Sequence, residues 1–197
     1  MRLFVAVYPP PVVVQDLVAT LGTLAIGQAA ADGVNVRLAP PERMHVTLAF
    51  LGEVPDARLT DVRDAIGAGV AAWAATWPEP TPPVVRLAGG GRFGRGRFTV
   101  LWTGVRGDVS ALHNLANALR RQLRRARLPY DPKPLRPHLT IARPGDRLPV
   151  NLLAADRAAL DGYSGPEFGV DEIRLVRSYP GPEPRYEFLT SWPLRAA

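Results

Sequence analysis

The chain contains no cysteine. That single absence removes disulfide staples, thiol nucleophiles, thiolate-held iron–sulfur clusters and cysteine-based zinc sites. Histidine is scarce too, with three residues, and Lys133 is the only lysine among 24 basic residues. A metal site would therefore need histidine and carboxylate ligands drawn from a very short supply. No apolar run approaches the roughly 18–20 residues that cross a bilayer. The opening M-R-L-F-V-A-V-Y-P-P-P is apolar but soon broken by prolines, without the long apolar region and small-residue cleavage site of a secretion signal. It reads as the first strand of a cytoplasmic protein.

What is present is an ordinary globular balance. The 197 residues are 47% apolar and 21% charged, enough for one generous domain or two small lobes sharing an interface. The formal net charge of +6 makes a polyanionic partner plausible. That charge is discounted, because a chain rich in Ala, Gly, Pro, Val and Arg can owe its basicity to genome composition.

Periodicity lays out the elements. Arg2 to Tyr8 reads as a buried strand, and Pro9–Pro11 turn the chain into a helix from about Pro11 to Leu24, with Val14, Leu17, Val18 and Leu21 on one face. A Gly/Ala-rich loop leads to short strands at Val34–Leu38 and Met44–Leu51. Asp56 to Trp73 is helical by period, through Leu59, Val62, Ile66, Val70 and Trp73. The linker W-P-E-P-T-P-P is the best candidate for a lobe boundary. Val84–Leu87 and Phe98–Val105 form a strand pair around the loop G-G-G-R-F-G-R-G-R. A third helix, about Val109 to Arg127, buries Leu112, Leu115, Ala116, Leu119 and Leu123. Leu139–Arg143 is strand-like, Leu152–Leu160 a short helix, and Glu172–Arg177 and Arg185–Leu189 close the chain around the turn Y-P-G-P-E-P. Many strands, few helices and hairpin-like links predict an α+β fold with mostly antiparallel sheets.

The chemical signal is an internal repeat. Arg43-Met44-His45-Val46-Thr47-Leu48-Ala49 matches Arg136-Pro137-His138-Leu139-Thr140-Ile141-Ala142, with arginine, histidine, threonine and alanine in register. In a strand, residues i and i+2 share a face. His45 and Thr47 therefore point one way while Val46 and Leu48 pack the other, and His138 and Thr140 repeat the pattern. Two copies facing one another would line a cleft with two imidazoles and two hydroxyls. A neutral imidazole can take a proton from water and a charged one can give a proton to a leaving oxygen; a reference pKa of about 6.5 lets both forms coexist near neutrality. Threonine hydroxyls and a nearby arginine can hold non-bridging phosphate oxygens. A single H-x-T in a strand is usually a histidine with a hydrogen-bonded neighbour; it is the doubling that points to catalysis. A metal site is disfavoured because neither motif carries a carboxylate at ligand spacing. His113, on the polar face of the third helix with Asn117, Arg120 and Arg124, reads as solvated.

With those residues in view, the chain resembles the bacterial RNA 2′,3′-cyclic phosphodiesterases, also called 2′-5′ RNA ligase-like proteins, of the two-histidine phosphoesterase superfamily. The carriers are His45-Val46-Thr47-Leu48 and His138-Leu139-Thr140-Ile141, supported by R-L-F-V-A-V, H-V-T-L-A-F-L-G-E-V, L-W-T-G, R-P-H-L-T-I-A-R and R-Y-E-F-L. The resemblance spans nearly the whole chain. It implies one two-lobed, pseudo-symmetric domain over residues 1–197, with helices outside and a central cleft. It implies His45 as proton donor and His138 as acceptor, Thr47 and Thr140 beside them, and Arg143 on the phosphate. The implied reaction hydrolyses the 2′,3′-cyclic phosphate end of an RNA to a 2′-phosphomonoester, without metal or cofactor, by a monomer that has no membrane partner.

Other readings stay open at this point. Gly89, Gly91 and Gly94 satisfy G-x-G-x-x-G, but a strand follows where a dinucleotide site needs a helix. The loop with Arg92, Phe93, Arg95 and Arg97 is a hairpin tip or a basic lip for RNA. Arg120, Arg121, Arg124, Arg125 and Arg127 read as a solvated face complementing a helix C-terminus, or as a track for phosphates. The same two histidines would also support the reverse reaction, joining a cyclic end to a 5′-hydroxyl through a 2′-5′ bond. A non-catalytic RNA-end-binding module is the alternative outside enzymes.

Overall fold

The structure is a computed structural model and describes residues 1–77, 81–181 and 184–194. Parts of the proline-rich linker and of the Y-P-G-P-E-P turn lie outside the described residues. The α+β expectation holds, with one eight-stranded sheet in which every pairing is antiparallel. Its strands are β1 (Arg2–Val7), β2 (Val46–Glu53), β3 (Val84–Phe93), β4 (Val100–Gly107), β5 (His138–Ala142), β6 (Ser164–Gly169), β7 (Glu172–Tyr179) and β8 (Arg185–Pro193). The helices are α1 (Pro11–Gly22), α2 (Ala25–Ala31), α3 (Leu59–Ala74), α4 (Val109–Arg125) and α5 (Val150–Asp161).

The spatial order β6-β3-β4-β5-β2-β1-β7-β8 has an approximate twofold character. The two motif strands, β5 and β2, lie at the centre, and each is flanked by the strand that begins its own β-α-β unit: β4-α4-β5 on one side, β1-α1-β2 on the other. The join between the halves is narrow, a single rung in which Val46 faces Leu139. Helices cover one side of the sheet. There the main core gathers Leu3, Val5, Val46, Leu48, Leu139 and Ile141 with the inner faces of all five helices. The helices do not stay with the strands they follow. α1 packs on β6 in the far half, and α4 packs under β2 and along α3. Close approach of α3 and α4 needs Gly69, where a Cβ would sit 2.9 Å from the Leu119 side chain.

Several boundaries move from the sequence expectation. The Gly/Ala-rich stretch after α1 is a helix, α2, because both oxygens of the buried Asp156 accept the Ala25 and Ile26 N–H groups at 2.9 Å. Val34–Leu38 makes only an isolated bridge, Leu38 to Ala142, with Arg37 at φ 51°. On α1 the buried set is Val13, Val14, Leu17 and Leu21, while Val18 is exposed. All of the G-G-G-R-F segment, Gly89 to Phe93, belongs to β3, leaving a short tip. β6, which carries Pro166, is an edge strand that periodicity did not flag.

Candidate active site

The side of the sheet away from the helices carries a second, smaller apolar cluster. Phe4, Ala6 and Val176 form it, with Tyr8, Phe50 and Tyr186 packed around them. These residues follow from strand alternation, since Phe4, Ala6 and Tyr8 are every second residue of the first strand. His45 and Thr47 project onto this same side, half-buried, while Val46 and Leu48 are buried in the main core. His138 and Thr140 behave identically against Leu139 and Ile141.

The register brings the motifs together. With Val46 opposite Leu139 in antiparallel strands, His45 falls beside Thr140 and Thr47 beside His138. The two histidines are then diagonal neighbours, with backbones roughly 7–8 Å apart. Thr47 and His138 line one cleft of about 370 Å³.

The two imidazoles are held alike. His45 Nδ1 lies 2.6 Å from the Arg43 carbonyl oxygen, and His138 Nδ1 lies 2.6 Å from that of Arg136. A carbonyl only accepts, so Nδ1 is the protonated nitrogen of each neutral ring and Nε2 is left for a ligand. Neither Nε2 atom nor the Thr47 and Thr140 hydroxyls bond to any described residue. Rings wall both sites. Phe4 stacks on His45 at 4.9 Å, with Tyr8 and Tyr186 at 5.4 and 5.5 Å. Phe93 meets His138 edge-on at 4.9 Å, and Trp102 stands at 5.8 Å. Gly91 makes room for that indole, since a Cβ there would lie 1.9 Å from the Trp102 ring.

The electrostatics follow from these walls. Burial pushes His45 down to about 4 despite the Arg43 carbonyl, and the charges of His138 and Arg143 add to the depression. His138 is also lowered, chiefly by burial and further by Arg143, against the pull of the Arg136 carbonyl. Arg143 is thus close enough to both rings to oppose their protonation. It is exposed, and its guanidinium has no partner among the described residues. With both groups lowered below the ordinary histidine value, both imidazoles are neutral at pH 7, and an anion is what would favour a proton on one of them.

Of the five residues expected from sequence, His45, Thr47, His138 and Thr140 lie on one side of the sheet, Thr47 and His138 line the same cleft, and the charge of Arg143 reaches both rings. The rings around them were missed: the first strand reads as plain core unless its alternation is followed. His113 sits on α4 at intermediate exposure and has no described contact with either motif. Of the G-x-G-x-x-G glycines, Gly91 packs against the Trp102 ring, while Gly89 and Gly94 take positive φ in β3 and at its tip, and no α-helix follows them before β4. Among the described residues no three His, Asp or Glu side chains converge as a metal site would require. No single described helix is long and apolar enough to cross a membrane.

A curled antiparallel sheet with twin H-x-T strands at its centre defines the two-histidine phosphoesterase class. The chain belongs to the 2′-5′ RNA ligase superfamily, whose family description matches residues 15–182. It is 34% identical over 165 residues to an RNA 2′,3′-cyclic phosphodiesterase of Geobacillus stearothermophilus, covering 79% of this chain and about half, 47%, of that protein's length. A protein of the same name from Archaeoglobus fulgidus is 30% identical over 181 residues, 90% of this chain and 89% of the relative. A crystal structure from Thermus thermophilus superposes with a TM-score of 0.67 at 28% identity, covering 99% of this chain and 98% of that one.

Proposed function

We propose that this chain hydrolyses the 2′,3′-cyclic phosphate ends of RNA to 2′-phosphomonoesters, as one two-lobed monomeric unit that uses no metal. The observation that supports the reading is the pair of equivalently held imidazoles on adjacent strands, each fixed at Nδ1 by a backbone carbonyl with Nε2 unbonded to any described residue. The names of its relatives supply the substrate class.

In this reading the cyclic phosphate lies between the rings. His138, neutral, takes a proton from water as the water oxygen bonds to phosphorus. The P–O3′ bond breaks, and His45 gives its proton to the departing 3′ oxygen. The charge on His45 comes with the substrate, because no carboxylate among the described residues bonds its ring and the phosphate brings the anion to it. Thr47, Thr140 and Arg143 hold the non-bridging oxygens as charge builds on them. The donor–acceptor order rests on family resemblance. Twofold-like geometry leaves either ring able to serve; with a 5′-hydroxyl in place of water, the same attack and the same P–O3′ cleavage would leave a 2′-5′ bond, which is ligation.

The test is incubation with an oligoribonucleotide bearing a 2′,3′-cyclic end, in EDTA, followed by location of the product phosphate. A 2′-phosphate formed in EDTA is expected. A 3′-phosphate would reverse the leaving group, and activity restored only by a divalent ion would overturn the metal-free reading.

A further inference from the structure

The cleft beside His138 continues away from the reacting groups, and its walls are strongly basic. It is lined by Thr47, Phe50, Phe93, Lys133, Arg136 and Arg120, among others. Arg120 also lines a neighbouring depression of about 270 Å³, with Asn117, Arg121, Arg124 and Tyr130. One side chain thus joins the two hollows into a single path that runs from the catalytic strand onto α4. Five cations border it, Arg120, Arg121, Arg124, Lys133 and Arg136, against one carboxylate, Asp131. None of the five forms an ion pair with a described residue. Asp131 is already engaged, accepting the Lys133 backbone N–H at 3.0 Å. The Nε of Arg120 is buried without a partner.

The opposite exit from the groove is different in charge. The large hollow beyond His45 is lined by Arg43 and Arg185 but also by Glu42 and Glu187, so its charges balance. A polyanion leaving the site meets no net attraction there. Helix-dipole complementation accounts for Arg124 and Arg125 in the last turn of α4, but not for Arg120 a turn earlier, nor for Lys133 and Arg136 beyond the helix.

We infer that this path on α4 and the 131–136 segment binds the phosphodiester backbone of the RNA on the 5′ side of its cyclic end. The inference rests on the cyclic phosphodiesterase reading and extends it to the body of the substrate. Backbone phosphates pair with the guanidinium groups without regard to base, and Tyr130 offers one ring on which a base can stack. The enzyme accordingly favours an RNA end over a lone cyclic nucleotide.

The experiment compares a mononucleoside 2′,3′-cyclic phosphate with a cyclic-ended oligoribonucleotide of about eight residues, on wild type and an R121E/R124E variant, over a range of salt. Wild type is expected to turn over the oligomer with a kcat/KM at least about tenfold higher, an advantage that falls as salt rises. The variant loses that advantage and keeps mononucleotide turnover within about twofold. Equal kcat/KM for the two substrates in wild type, or an oligomer advantage that survives in the variant, overturns the inference. If wild type opens neither substrate, the catalytic reading fails by itself. Anisotropy of a labelled oligomer ending in a 2′-phosphate then decides the path: weaker binding by the variant supports it, and equal binding overturns it.

Discussion

Val46 stands opposite Leu139 in the one rung that ties β2 to β5, and this buried pair fixes the diagonal between His45 and His138 on the other face of the sheet. A slip of one residue in that register would turn every motif side chain to the wrong side. The spacing of the two imidazoles is thus set by two apolar residues buried on the opposite face of the sheet.

Removal of either imidazole tests the mechanism most directly. H45A and H138A are each expected to lower kcat by about 10²–10⁴-fold, with circular dichroism unchanged, since each ring's one hydrogen bond is to a local carbonyl. Near-normal turnover in either variant would remove that residue from the reaction.

The role proposed for the threonines is contact with charge. T47V and T140V keep shape and lose a hydroxyl that has no partner among the described residues, so thermal stability should hold while kcat falls by about 10²–10³-fold. A variant that loses stability instead would assign the hydroxyl a structural task.

Protonation gives a signed prediction. His45 is depressed to about 4 and His138 is lowered too, both chiefly by burial. The unfolded chain therefore binds more protons than the folded one between about pH 4 and 6.5, and stability should rise with pH across that window and level off above it. Melting temperatures measured from pH 4 to 8 check this, and H45Q should flatten part of the slope. In titration of the ligand-free protein by NMR, a His45 midpoint at or above 6.5 would contradict the burial argument. Phosphate or a 2′-mononucleotide should raise one midpoint, with proton uptake visible by calorimetry in buffers of different ionisation enthalpy.

Gly91 offers a probe of the wall behind His138. In G91A the new methyl would collide with the Trp102 ring, so the indole must shift and its contact with His138 must change. We expect destabilisation of about 1–3 kcal/mol by denaturant unfolding. Loss of activity should accompany it, whereas W102F, which has room, should recover most of the stability.

The twin motif was legible because strand alternation is local: the same register of His, Thr and aliphatic residues carried face and burial correctly for both copies. The long helices α3 and α4 were legible for the same reason, their apolar residues repeating at helical spacing. What was missed depends on partners distant in sequence. α2 exists because Asp156, more than a hundred residues on, caps its first turn. β6 is short, contains a proline, and pairs with β3 alone among the described strands, at the edge of the sheet. The aromatic enclosure of His45 draws Phe4 and Tyr8 from one end of the chain and Tyr186 from the other, a grouping that no window along the sequence contains.

The exchange of α1 and α4 between the halves of the sheet bears on how the molecule comes apart. Each half would lose its apolar backing if the other melted, so neither can open as an independent unit, and heat should produce one cooperative transition. That mutual backing is expected to hold the two imidazoles at a steady spacing up to that temperature.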